Sequence, residues 1–221
     1  DDDPAASYVL LSDAAEFAAE SGQLALAWEL LVALGNRFDL QSLQLMERAT
    51  KVATRFAKSE DDVAYLASMY VLLLDEAVRV DDFETAAKVA PAAAGATRKM
   101  PVLKEQLAAY IRRINALRGA FELAKPARDV LKVKRDDETA NLTWGRYVCF
   151  FKGDWLTGLP LLGKSSNPTL VSLALRDVEQ RRELQALTQL GDDWWEVAEH
   201  EKEPIKSNIR ERAVDAWQLA L

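Results

Sequence analysis

The sequence predicts an all-α chain, an irregular stack of helical hairpins with about ten or eleven helices. Three observations carry this. Ala and Leu dominate while Gly (9) and Pro (7) are scarce among 221 residues, and that composition favours helix over strand. Apolar residues recur at spacings of three and four along almost every segment. Three sites also share a turn pattern: Gly22-x-Leu24-x-x-Ala27, Asp81-Asp82-Phe83-x-x-Ala86 and Gly153-Asp154-Trp155-x-x-Gly158. Gly or Asp ends one helix and opens the next. The bulky residue plugs the base of the hairpin, and the small one lets the two helices approach.

The elements follow in order. Ala5–Ser21 carries Tyr8, Leu11, Ala15 and Ala18 on one face, and Leu24–Arg37 follows Gly22. Leu40–Lys58 has Leu43, Met46, Ala49, Val52, Ala53 and Phe56 in helical register. Ser59 reads as an N-cap, with Asp61 and Asp62 suiting the positive end of the next helix, which runs to about Val80. Its uncharged stretch from Val63 to Leu74 has 12 residues, whereas a membrane-spanning helix needs about 20. A buried helix is therefore expected. Asp81-Asp82 starts another helix, ending around Gly95–Pro101. From about Val102 to Lys134, Leu103, Leu107, Tyr110, Ile114, Leu117, Phe121 and Ala124 form an a/d seam. Pro126 is expected to kink or break that helix. Asp136-Asp137-Glu138 opens a helix through Lys152. Asp154–Gly163, Pro168–Glu179, Arg181–Glu199 and Pro204–Leu221 complete the set, with Pro168 and Pro204 suited to first-turn positions.

The length suits a single domain over 1–221, which could divide into sub-units 1–100 and 136–221 joined by the long helix 102–134. Hydrophobic content of 49% and charged content of 29% are those of an ordinary globular protein. The chain starts at Asp1-Asp2-Asp3-Pro4 without a Met, as a processed or truncated product would, so localisation stays open.

The turn pattern resembles tetratricopeptide-type helical repeats, in which a Gly-Asp-aromatic turn precedes a small residue. The last hairpin adds Leu190, Gly191, Trp194 and Trp195, then Ala213, Trp217, Ala220 and Leu221. The resemblance implies a stack of helix pairs of the α-solenoid or superhelix type. It is degenerate. Turn-to-turn spacings are 59 and 72 residues, not the roughly 34 of a regular array. The segment from Gly145 to Gly153 is one residue too long, and about ten extra residues surround His200–Lys206. The stretch from Asn141 to Leu221 is also similar to a helical module recurring in large exported planctomycete-type bacterial proteins. That resemblance implies an exported module of a longer chain and transfers no functional residues.

Charge is unevenly spread. Residues 98–135 hold eleven Lys/Arg and three Asp/Glu, while the whole chain is at −7. Arg112 and Arg113 in this block are candidate contacts for an anionic partner; the alternative is a solvated helix face paired with acidic neighbours. A pI near 5.0 and the lack of interleaved stacking aromatics argue against nucleic acid. The seam either packs within one chain or makes a helix–helix homodimer.

Catalytic and metal patterns are weak. The single Cys149 sits in an apolar run, and the single His200 lies 51 residues further on; a nucleophile wants a base nearby. One His and one Cys cannot build the usual metal spacings, and no phosphate-loop motif occurs. Most acidic pairs (Asp61/Asp62, Asp81/Asp82, Asp136/Asp137, Asp192/Asp193) sit where helices begin and read as caps. No catalytic residue, metal ligand or cofactor is assigned.

Trp194 and Trp195 are adjacent, so they point about 100° apart on a helix. Trp195 is the one open as a partner contact, with Asp193 beside it. The expected function is a non-enzymatic interaction or scaffolding module that binds a peptide, or a neighbouring domain of its own parent chain, on a helical face. The alternative is a small-molecule- or glycan-binding or enzymatic domain with an aromatic–carboxylate pocket near Trp194 and Trp195.

Overall fold

A computed structural model describes residues 3–38, 42–179 and 183–221. Among them are eleven α-helices and no strand. They are α1 Pro4–Glu20, α2 Leu24–Phe38, α3 Ser42–Phe56, α4 Glu60–Arg79, α5 Phe83–Ala96 and α6 Pro101–Val133. Then come α7 Glu138–Arg146, which continues as a π-helical segment Tyr147–Phe151, α8 Trp155–Leu162, α9 Pro168–Glu179, α10 Leu184–Glu199 and α11 Ile205–Leu219. The helix starts expected at Leu40 and Arg181 lie outside the described residues.

Two compact units make up the chain, Asp1–Asn115 and Ala116–Leu221. In the first, α1 to α5 pack against one another in sequence order, and α1 also meets α3. Small residues at the α1–α2 crossing (Ala18, Ala19, Ala27) are buried with Leu30 and Val52 packed against them. The uncharged run of α4 is buried as expected: Leu66, Met69, Tyr70, Leu73 and Leu74 are all nearly inaccessible. Tyr70 places its hydroxyl 2.8 Å from that of Thr54. In the second unit α7 to α11 also pack in sequence order, and α11 returns against the π segment.

Local chemistry fixes the helix starts. Ser59 caps α4 in a full capping box: its hydroxyl accepts from the Asp62 N–H, and Asp62 accepts from the Ser59 N–H at 2.9 Å. Those bonds hold the Asp62 carboxyl below the usual range, the Ser59 and Lys58 backbone N–H groups being the main cause. Asp82, Asp137 and Asp154 cap α5, α7 and α8 in the same way, each accepting from the N–H three residues on.

The three hairpin turns share a left-handed residue. Gly22 (φ 80°), Asp81 (φ 60°) and Gly153 (φ 72°) all lie in the left-handed region, where glycine is unstrained. At the first, the Gln23 and Gly22 N–H groups donate to Ala18 and Ala19 carbonyls. At the second, Asp82 and Asp81 donate to Ala77 and Val78. These are Schellman closures. At the third, Asp154 donates to Val148 and Gly153 to Cys149, each bond reaching one residue further back. The helix widens here into a π turn, in which each bond spans one residue more than in an α-helix. Asn208 of α11 donates to the Phe150 and Phe151 carbonyls at 2.8 and 3.3 Å, which serves backbone acceptors at the disturbed end of the segment.

Leu24 and Phe83 plug their hairpins and are buried, as are Ala27, Ala86 and Gly158. A Cβ at Gly158 would lie 2.2 Å from the Cys149 sulfur, so the α8 backbone sits directly on that thiol.

The long helix runs from Pro101 to Val133 with Pro126 inside it, so of the kink or break expected there the break does not occur. Both Pro126 and Glu122, whose carbonyl loses its helical partner there, are exposed, so water can serve the freed acceptor. Of the a/d seam of α6, Leu107, Ile114, Leu117, Phe121 and Ala124 are buried within the chain, in line with the first of its two readings. Among the described residues no helix is long and apolar enough to cross a membrane.

Candidate functional site

The inward face of α9 reads Leu170, Leu173, Ala174 and then Asp177, all buried. A carboxylate in an apolar register demands partners, and helices α10 and α11 supply them. Asp177 is 3% exposed. It accepts from the Trp194 indole N–H at 2.7 Å and from Arg212 Nε at 3.0 Å, and a further Arg212 bond runs from Nη2 to its other oxygen. Burial works against the Arg212 charge, but the hydrogen bond and charge of Asp177 outweigh it, and the guanidinium is held above its usual range. Three helices are thereby tied together through one buried charge pair.

Trp194 is fully buried in the apolar core of this unit. Its ring meets Trp155 edge-on at 5.1 Å and Phe150 at 6.3 Å. Arg212 lies 5.8 Å from the Trp155 ring.

Beside this latch α9, α10 and α11 enclose a groove of about 710 Å³, a size typical of ligand pockets. Leu187, Leu190 and Ala216 form an apolar floor, with Arg212 and Asp177 in the wall and Arg176, Glu179 and Gln189 also lining it. Arg176 and Gln189 both bind Asp193, at 2.6 and 2.9 Å.

Of the residues singled out from sequence, Asp193 stands beside this groove as the partner of Arg176. Trp195 is half-buried and does not line it. Its ring is covered by the Arg210 guanidinium at 4.5 Å and lies 5.5 Å from Trp217. Trp217 in turn donates to Thr188 O and Asp192, both at 3.2 Å, and Gly191 admits its ring, since a Cβ there would lie 2.3 Å from the indole nitrogen. Asp192 and Asp193 therefore act mid-helix as acceptors and not as caps. The carboxylate that meets Trp194 is Asp177, not the adjacent Asp193. Arg112 and Arg113 are exposed on α6 in the first unit.

Sequence reasoning missed Asp177 and Arg212. The available signal was the spacing Leu170–Leu173–Ala174–Asp177, a charge on an otherwise apolar helix face. Cys149 is fully buried, and burial, followed by the nearby Asp154 and Asp177 charges, pushes its thiol well above the usual range. Among the described residues no group of three or more His, Cys, Asp or Glu side chains could hold a metal ion. Comparison with family models, curated proteins and solved structures returns no match to this chain.

Proposed function

We propose that the chain is a non-enzymatic interaction module of the degenerate tetratricopeptide-like kind, and that its second unit seats a peptide segment in the α9–α10–α11 groove. The observation that carries this is the groove itself. It combines an apolar floor with walls fixed by the Asp177–Arg212–Trp194 latch, so its shape is set before a ligand arrives. Preorganisation of that kind lowers the entropy cost of binding. A peptide suits it because charges of both signs stand around an apolar floor wide enough for one or two large side chains. The left-handed residue common to the turns at Gly22, Asp81 and Gly153 supports the helical-hairpin reading. The groups a catalyst would use are otherwise engaged: the thiol is buried under Gly158, and Asp177 already accepts three hydrogen bonds.

The test is panning of a random peptide library on the intact chain, with binding of the selected peptides measured by calorimetry. Ala186, which lines the groove, is changed to Trp to fill it. The reading expects selected peptides to lose roughly tenfold or more in affinity for Ala186→Trp, about 1.4 kcal/mol. Absence of any selected binder, or binders indifferent to that substitution, would refute it.

A further inference from the structure

The hydrogen-bonding capacity left over at the latch is one-sided. Asp177 spends both oxygens on three donors. A guanidinium has five N–H bonds, and Asp177 takes only one from Nε and one from Nη2. Among the described residues the two N–H groups of Arg212 Nη1 find no acceptor within hydrogen-bond reach; the Asp215 carboxylate pairs with Nη1 only at 4.0 Å. Arg212 lines the groove, with 22% of its side chain exposed, over a floor of Leu187, Leu190 and Ala216. Donors of a charged group are best matched by a charged acceptor. Arg176, the second cation lining the groove, is neutralised by Asp193 at 2.6 Å, so it neither competes for nor supplies this role.

We propose that the groove selects peptide segments in which one Asp or Glu lies within about two residues of a Leu-sized aliphatic side chain, the carboxylate on Arg212 Nη1 and the aliphatic group on the Leu187–Leu190–Ala216 floor. Asp177 acts here as a positioning residue, fixing the guanidinium plane so that Nη1 is presented. This rests on the peptide-binding reading above and names the sequence class that reading leaves open.

The experiment uses a library of N-acetylated, C-amidated octapeptides, so that side chains carry the only carboxylates. The strongest binder is then remade with its acidic residue changed to the amide. On the wild-type chain this exchange should weaken binding roughly tenfold, as loss of one charge-assisted hydrogen bond does. On the Asp177→Asn/Arg212→Gln double variant, checked for folding by near-ultraviolet circular dichroism, the same exchange should change affinity less than about twofold, while an aliphatic-to-Ala exchange still weakens it. Binders that respond to Ala186→Trp but ignore the acid-to-amide exchange on the wild type overturn the anion assignment alone. A library that yields no binder overturns both readings. Should the double variant fail to fold, the wild-type exchange still decides the matter.

Discussion

Replacing Arg212 by Met keeps most of the side-chain volume but strands a carboxylate. Asp177 would lose the Nε bond at 3.0 Å and the Nη2 bond, keeping only the Trp194 indole at 2.7 Å. Removing one partner of a buried ion pair costs about 3–5 kcal/mol. Because 22% of the Arg212 side chain is exposed, water can reach the vacated space, which places the loss at the lower end, about 3 kcal/mol. For a chain of this size that is a fall in Tm of roughly 6–12 °C. Urea unfolding followed by tryptophan fluorescence is the assay, since five of the six tryptophans lie in the second unit. The Asp177→Asn/Arg212→Gln double variant removes both charges and keeps an acceptor for Trp194, so it should lose only about 1–2 kcal/mol. A single variant within 1 kcal/mol of wild type, or a double variant no more stable than the single, would refute the claim that a buried charge pair holds α9, α10 and α11 together.

Further outcomes follow from close packing and from titration. Gly158→Ala puts a methyl 2.2 Å from the Cys149 sulfur and 3.0 Å from its backbone nitrogen, and should destabilise by about 3 kcal/mol in urea. Gly119→Ala, with nothing within 4 Å in the middle of α6, should stabilise by about 0.5–1 kcal/mol. Cys149, buried with a raised thiol pKa, should stay unreactive to a disulfide reagent at pH 8 until the chain unfolds; rapid native-state labelling would contradict the packing. Asp62 has a folded pKa below its unfolded value, so its contribution is present above the usual aspartate value of about 3.9 and lost as pH falls through the lower folded value. A carboxyl titration by NMR should show that depressed midpoint, and Ser59→Ala should move it back toward normal.

Local chemistry is what the sequence exposes most readily. Ser59, Asp82 and Asp137 declare helix starts because a cap depends on residues three apart. The left-handed residues Gly22, Asp81 and Gly153 declare the hairpins for the same reason. The burial of Trp194 and the partial burial of Trp195 follow from their 100° separation on one helix. What stayed hidden depends on three-dimensional neighbours. Whether Pro126 would kink or break α6 turns on whether water can serve the acceptor it frees, which local rules do not say. The register of α9 hinted that Asp177 needs a partner, but Arg212 lies 35 residues further on, and only the packing of α9, α10 and α11 brings them together. Asp193 was read beside Trp195; its hydrogen-bond partners are Arg176, 17 residues away, and Gln189, one helical turn away.

The π segment at Tyr147–Phe151 sets the angular phase of everything upstream of it in the same helix. One residue added to a plain α-helix rotates the preceding length by about 100°. Gly145 meets α8 so closely that a Cβ there would sit 2.9 Å from the Leu162 side chain and 3.1 Å from its backbone nitrogen. Trp144 is phased along with it, 4.9 Å from Tyr147 and beneath the Arg128 guanidinium at 5.4 Å. Trimming one residue from Val148–Phe151 would restore ideal helical hydrogen bonding and, in the same stroke, turn Gly145 away from α8 and aim a side chain at Leu162 instead. At this point in the chain the number of residues is as tightly specified as their identity.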